Sequence, residues 1–405
     1  MIIDAISDLI ELLLQNDARE ANVTLGISIA GSVMGMCLPP GVANQLQVAQ
    51  QVTGENEKSR VAILSELVSA VGLQRFRFAE RQANNDTAVC RCLARTAAKV
   101  LLESQDLVSN GTLQTSTDGV LDLLFKATSH PSVYVCGIGV EALAEVVKSN
   151  SELSSRLLPH LQGKAIVPMH LVNDVDGSFD DYINFRDRVL TSGLIACYTG
   201  CSTFYLESCG SAIEEFCNAT PSPHLPYQLE AALFCMIAVA GKASKARDKQ
   251  VLCDQLRKMI TALNNSAIAT SLPIVTAKTC LFINKYAKCF VSCSTDSNAV
   301  FQQASELVIS LFHEQNICQL VTTDTISPLS EACNALKELL CALPSQFSTP
   351  AAMKALEGEF TFSAERRYSS NLDTYLISFL SLRRLENAIH PPANSYTYTR
   401  PRGSL

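Results

Sequence analysis

Apolar residues recur every three or four positions along most of the chain, and that period restricts it to helices. Ile6, Leu9/Ile10 and Leu13/Leu14 share one helical face. The spacing returns at Cys136, Val140, Leu143 and Val146/Val147, and at Leu229, Ala232/Leu233, Met236/Ile237 and Ala240. It returns again at Ala304, Leu307/Val308 and Leu311/Phe312, and at Ala332, Ala335/Leu336, Leu339/Leu340 and Leu343. A half-buried strand would alternate with period two. Such alternation is nearly absent; Ser132–Cys136 is the best example, and it lies inside a helical frame. Over 405 residues there are only 18 Gly and 15 Pro, too few turn-formers for a chain of many short strands.

Helix starts carry the expected chemistry. Pro131, Pro226, Pro273 and Pro328 each stand at the head of an apolar-periodic stretch, where a missing N–H is harmless. Ser327 adds an N-cap candidate and Glu331 an early acid that suits the helix dipole. The pattern predicts helices near 2–15, 22–37, 42–52, 57–82, 86–108, 116–129, 131–149, 151–171, 179–207, 209–218, 227–241, 247–263, 272–290, 297–314, 328–342 and 349–357. They fall into pairs, and a pair with its turns takes about 40–50 residues, the length of a HEAT or armadillo unit. A pair cannot bury its apolar face alone and must stack on its neighbours. The expected fold is therefore all-α: an α-solenoid of stacked antiparallel helix pairs over residues 1–358. No Gly/Ser- or Pro-rich linker divides that span. From Glu359 the periodicity weakens, and Pro391-Pro392 and Arg400-Pro401-Arg402 read as an unpacked tail over 359–405, with one helix at 371–388.

The formal charge of −7 argues against a nucleic-acid surface as the main partner. The longest apolar runs, such as Ala231–Ala240, reach about half of the ~20 residues that a membrane-spanning helix needs. The N-terminal stretch carries Asp4, Asp8 and Glu11 and lacks the basic head and apolar core of a signal peptide. The 16 cysteines are accordingly expected to be reduced, buried and intracellular.

Catalytic signatures are scarce. The sequence holds no phosphate-binding Walker loop, no G-x-S-x-G elbow and no H-E-x-x-H. The histidines at 130, 160, 170, 224, 313 and 390 are scattered. Cys90/Cys92, Cys197/Cys201 and Cys289/Cys293 are close in sequence, but a structural zinc site needs four ligands and no second pair follows at finger spacing. No metal or cofactor is expected. Lys242, Lys245, Arg247 and Lys249 form a short basic run that suits a solvated turn after a helix C-terminus.

The richest polar cluster is Asn173-Asp174-Val175-Asp176-Gly177-Ser178-Phe179-Asp180-Asp181. Three readings compete. As an EF-hand loop, its glycine comes too early and no glutamate closes the loop. As the metal-binding motif of a helical isoprenoid enzyme, Asp180-Asp181-x-x-Asn184 has the right shape but lacks a second acidic helix. As an exposed acidic loop, Ser178 or Asp180 caps the next helix, and Asp174, Asp176, Asp180 and Asp181 are available to a basic partner.

Several segments in order resemble one family. Phe179–Val189, with Asp-Asp-Tyr-Ile-Asn-Phe-Arg-Asp-Arg-Val, resembles the acidic, aromatic Phe-Arg-x-Arg-Val helix of nuclear transport receptors. Tyr227–Ser244, with Leu229-Glu230-Ala231-Ala232-Leu233-Phe234, resembles their Glu-Ala-x-Leu-Phe helix. Leu121–Val147, through His130-Pro131, resembles their His-Pro helix turn, and Pro328–Leu340 one of their Ala-rich repeat helices. The similarity covers roughly 57–358 and is to the importin-β superfamily (karyopherins), nearest the branch of transportin 3 and importin 13.

The resemblance implies a HEAT-repeat solenoid that binds protein cargo on its concave face. It implies release of that cargo by the GTP-bound small GTPase Ran, contact with nucleoporins, and residence in cytoplasm and nucleus. It implies neither membrane insertion nor direct binding of nucleic acid. It also implies that the chain is the central part of such a receptor, without the N-terminal Ran-binding repeats, and that Pro159 and Pro168 interrupt a helix continuous elsewhere in the family. The alternatives are a helical-repeat interaction scaffold with no link to Ran, and a helical magnesium-dependent enzyme of isoprenoid type.

Overall fold

The helical period is realised across the described part of the molecule. The computed structural model describes residues 87–109, 118–168, 171, 178–246, 249–270, 272–293, 297–313 and 328–342, with single positions between 65 and 77. The helices expected before residue 57, at 349–357 and at 371–388, and the tail 359–405, lie outside these residues. Among the described residues there is no strand. The chain divides into two compact units, Met1–Tyr205 and Leu206–Leu405.

The first unit contains α1 (Thr87–Ser109), α2 (Asp118–Ser129), α3 (Val133–Val147), α4 (Ser151–Ala165), α5 (Ser178–Phe185) and α6 (Thr191–Gly200), with a single π-helical stretch at Arg186–Leu190 between the last two. Helix α3 packs on α1, α2, α4 and α6. Leu123, Leu124, Leu143, Leu157, Leu158 and Leu161 are fully buried there. Gly139 lets α3 approach α2 closely, since a Cβ at that position would stand 2.9 Å from both Leu124 O and Thr128 N. At the head of α4 the Asn150 side chain accepts from Leu153 N at 3.0 Å, satisfying one of the free donors of the first turn.

Helix α7 (Ser202–Asn218) runs from the first unit into the second. The second unit then has α8 (Leu225–Ala243), α9 (Gln250–Asn264), a 3₁₀ turn at Ala267–Thr270, α10 (Pro273–Ser292), α11 (Ser297–His313) and α12 (Pro328–Ala342). Helix α10 packs on α8, α9, α11 and α12. Its inner face carries Phe282, Tyr286 and Phe290, all fully buried. The Tyr286 hydroxyl donates to Met236 O at 2.8 Å, so this buried phenol has its partner on α8. Pro226 and Pro273 stand at the first turns of α8 and α10, as expected.

Three expectations are corrected. The helix expected over 151–171 ends at Ala165, where Ile166 turns extended; Pro159 sits inside it without ending it. The helices expected at 179–207 and 209–218 instead break at Cys201, whose backbone (φ −149°, ψ 61°) leaves the helix. The break falls after Gly200, whose Cα faces Val147 O and Ser154 Oγ too closely for any side chain. Ser208, where the break was expected, lies inside α7 instead. Finally, not every cysteine is reduced: Cys253 on α9 and Cys293 at the end of α10 form a disulfide.

Candidate functional site

Of the acidic residues singled out in sequence, Asp174 and Asp176 lie outside the described residues. Asp180 and Asp181 sit within the first turn of α5, both exposed. Negative charge there complements the partial positive charge of a helix N-terminus.

The packing of α5 on α3 completes the site. Tyr134, on the first turn of α3, donates its hydroxyl to Asp181 Oδ2 at 2.9 Å. The tyrosine is 60% exposed, beside the Asp181 carboxylate that its hydroxyl meets. The hydrogen bond to the Asp181 carboxylate, and its charge, raise the Tyr134 pKa above the ordinary phenol value. Helix α5 is anchored from below by Tyr182, whose buried hydroxyl lies 2.8 Å from Lys164 O and 3.0 Å from Ile166 O. That phenol therefore serves the free carbonyls at the end of α4. Phe185 packs against Tyr182 with ring centroids 6.4 Å apart. One turn on, the π-helical stretch separates the two arginines of Phe-Arg-x-Arg-Val: Arg186 is buried and Arg188 exposed.

Two exposed carboxylates on one helical turn, one of them hydrogen-bonded to an exposed phenol, suit a lysine or arginine side chain. The carboxylates supply charge-assisted hydrogen bonds and the ring supplies cation–π attraction. Asn184, the third member of the metal-motif reading, is exposed on the same helix. Among the described residues no group of three His, Cys, Asp or Glu side chains is placed to hold a metal ion.

The other candidates separate. Cys136 is buried and donates to Thr128 O at 3.0 Å; burial pushes its thiol up to about 12, which makes it inert as a nucleophile. Burial likewise raises Cys217, to about 11, and Cys289. Cys201 donates to Cys197 O at 3.3 Å. The side chains of Cys92, Arg247, His170, His313 and His390 lie outside the described residues. His130 is fully buried and accepts from Ser132 N at 3.1 Å through Nδ1, while its carbonyl accepts from Lys164 Nζ at 2.6 Å. His160 is different: it is half-buried, and its Nδ1 lies 2.8 Å from Ser129 Oγ. Lys242 stands in the last turn of α8, exposed, as a dipole-matched cation should be.

Sequence reasoning missed Tyr134. The available signal was a large aromatic next to the core-facing positions of α3, just after a proline-marked start. No protein-family profile matches the chain, and neither does any curated protein. Among solved structures, the crystal structure of an engineered protein is similar over 94% of this chain and 98% of its own, at 12% identity and a TM-score of 0.25. That score is too low to carry an argument about fold or function. Among the described residues no helix is long and apolar enough to cross a membrane.

Proposed function

We propose that the chain is a non-catalytic helical-repeat binding protein of the nuclear transport receptor type. Its helices would stack in antiparallel pairs as a solenoid, and it would bind basic protein cargo in a manner regulated by GTP-bound Ran. The observation that carries the binding reading is the Tyr134–Asp181 hydrogen bond between α3 and α5, with the exposed Asp180 next to Asp181 in the chain. The transport reading rests on the resemblance of Phe179–Val189 and Tyr227–Ser244 to karyopherin helices. Cargo and nucleoporins as partners, and shuttling between cytoplasm and nucleus, come with that resemblance.

The test is a binding assay of the full chain with a Lys/Arg-rich protein segment, with and without Ran held in its GTP form. The transport reading expects capture of the segment and its displacement by Ran-GTP. Capture that Ran-GTP leaves unchanged marks an interaction scaffold without Ran coupling. Magnesium binding that is lost in Asp180→Asn and Asp181→Asn would overturn both readings in favour of a helical metalloenzyme.

A further inference from the structure

A second charged feature of the first unit has the opposite sign. Arg156, His160 and Lys164 occupy positions i, i+4 and i+8 of α4, one stripe along the helix. Lys126, in the last turn of α2, adds a fourth basic side chain beside it. The stripe is held by packing. The Arg156 guanidinium lies over the Phe125 ring at 4.2 Å from its centroid, and the same ring tilts against His160 at 5.9 Å. Arg156 also pairs with Asp122 at 2.7 Å, which occupies part of its five-donor fork. Ser129 engages His160 Nδ1 and leaves Nε2 for a ligand. Lys126 has no ion-pair partner among the described residues. In a chain of net charge −7, Lys126, Arg156 and Lys164 concentrate positive charge around the His160 ring.

We propose that Lys126, Arg156 and His160 form a binding ridge for an extended acidic peptide segment of a protein partner, with Lys164 held behind them by its hydrogen bond to His130 O. The geometry favours a peptide over a compact ion. Successive members of the α4 stripe are separated by about 6 Å of helix rise. Alternate residues of an extended chain repeat at roughly 6.7 Å on one face. Carboxylates at alternate positions of an extended segment therefore meet Arg156 and His160 in turn, with Lys126 beside them, whereas one small anion reaches only part of the ridge. The crowding also supplies a driving force. Burial, then the charges of Arg156, Lys126 and Lys164, depress the His160 pKa, and an anion placed beside the ring would oppose that depression. The charged groups near the ring are Asp122 and Lys126 from α2, and Arg156 and Lys164 on α4. This ridge goes beyond the basic-cargo reading and does not depend on it.

The test uses fluorescence anisotropy with the full chain at low salt. The probes are a labelled peptide of alternating Glu and Thr and its counterpart of alternating Lys and Thr. Inorganic phosphate and a single-stranded oligonucleotide serve as competitors. The Glu-Thr peptide is expected to bind, with affinity falling as salt rises. Lys126→Gln, Arg156→Gln and His160→Gln are each expected to weaken it about 2- to 5-fold, the effect of losing one partly exposed ion pair. Peptide binding should also raise the His160 pKa, read by NMR of the imidazole, a change that a merely structural histidine would not show. Circular dichroism checks that the variants remain folded. The proposal is overturned by no binding of the Glu-Thr peptide at millimolar concentration, or by equal affinity in all variants. Tighter binding of the oligonucleotide, or of phosphate, than of the peptide also overturns it.

Discussion

His160 shows how a single side chain ties pH to stability. Its folded pKa lies below its ordinary value because of burial, with Arg156, Lys126 and Lys164 adding to the effect. In the unfolded chain the ring protonates near 6.5, earlier than in the fold. As pH falls through that value the unfolded state takes up the proton first, so stability drops. Chemical denaturation between pH 7.5 and 5.5 should show this decline, and His160→Gln should make it shallower; a parallel decline in the variant would contradict the assignment. Glu230 carries a harsher constraint. It is fully buried, with Lys278 Nζ at 3.8 Å, and that ammonium lies 5.4 Å from the Phe234 ring centroid. Lys278→Met removes a cation beside a buried carboxylate, and is expected to cost about 3 kcal/mol in urea unfolding. Adding Glu230→Gln should recover much of the loss. A loss below about 1 kcal/mol for Lys278→Met would show that the pair is not a structural one.

The glycines make the packing of helices testable at the scale of elements. Gly139 is where α3 meets α2, and a Cβ there would press on Leu124 O and Thr128 N, both backbone atoms that cannot swing aside. Gly139→Ala should therefore destabilise the first unit by about 1–3 kcal/mol, as overpacking does. Gly163, inside α4, has nothing within 4 Å of its Cβ position. Gly163→Ala should stabilise by about 0.5–1 kcal/mol through helix propensity. Thermal unfolding of the two variants checks the contrast, and equal shifts would contradict the packing. Elements governed by local chemistry were legible in the sequence. Helix α12 runs over Pro328–Ala342, as its proline start and apolar period predict. What escaped was set by distant contacts. Pro159 does not end α4, because Leu157, Leu158 and Leu161 on the same helix are fully buried and hold it. The break at Cys201 depends on Gly200 meeting Val147 and Ser154, some fifty residues earlier in the chain. The site divides the same way. Asp180 and Asp181 could be read as an exposed acidic helix start, but Tyr134 is 47 residues from Asp181 and joins it only through the packing of α5 on α3.

For the whole molecule, the described residues build two units of packed helices, each with its own buried set of apolar side chains. Charged side chains lie at the surface of these helices. In the first unit that surface carries an acidic, aromatic patch and a basic ridge. Our central claim is that the chain works by holding protein segments at such patches. The most direct measurement is the affinity of the full chain for a Lys/Arg-rich peptide, compared with the triple variant Tyr134→Ala, Asp180→Asn, Asp181→Asn. The account predicts binding by the unaltered chain and a loss of about tenfold or more in the variant, with circular dichroism unchanged. Equal affinity in the two proteins, or no binding by the unaltered chain, would contradict it.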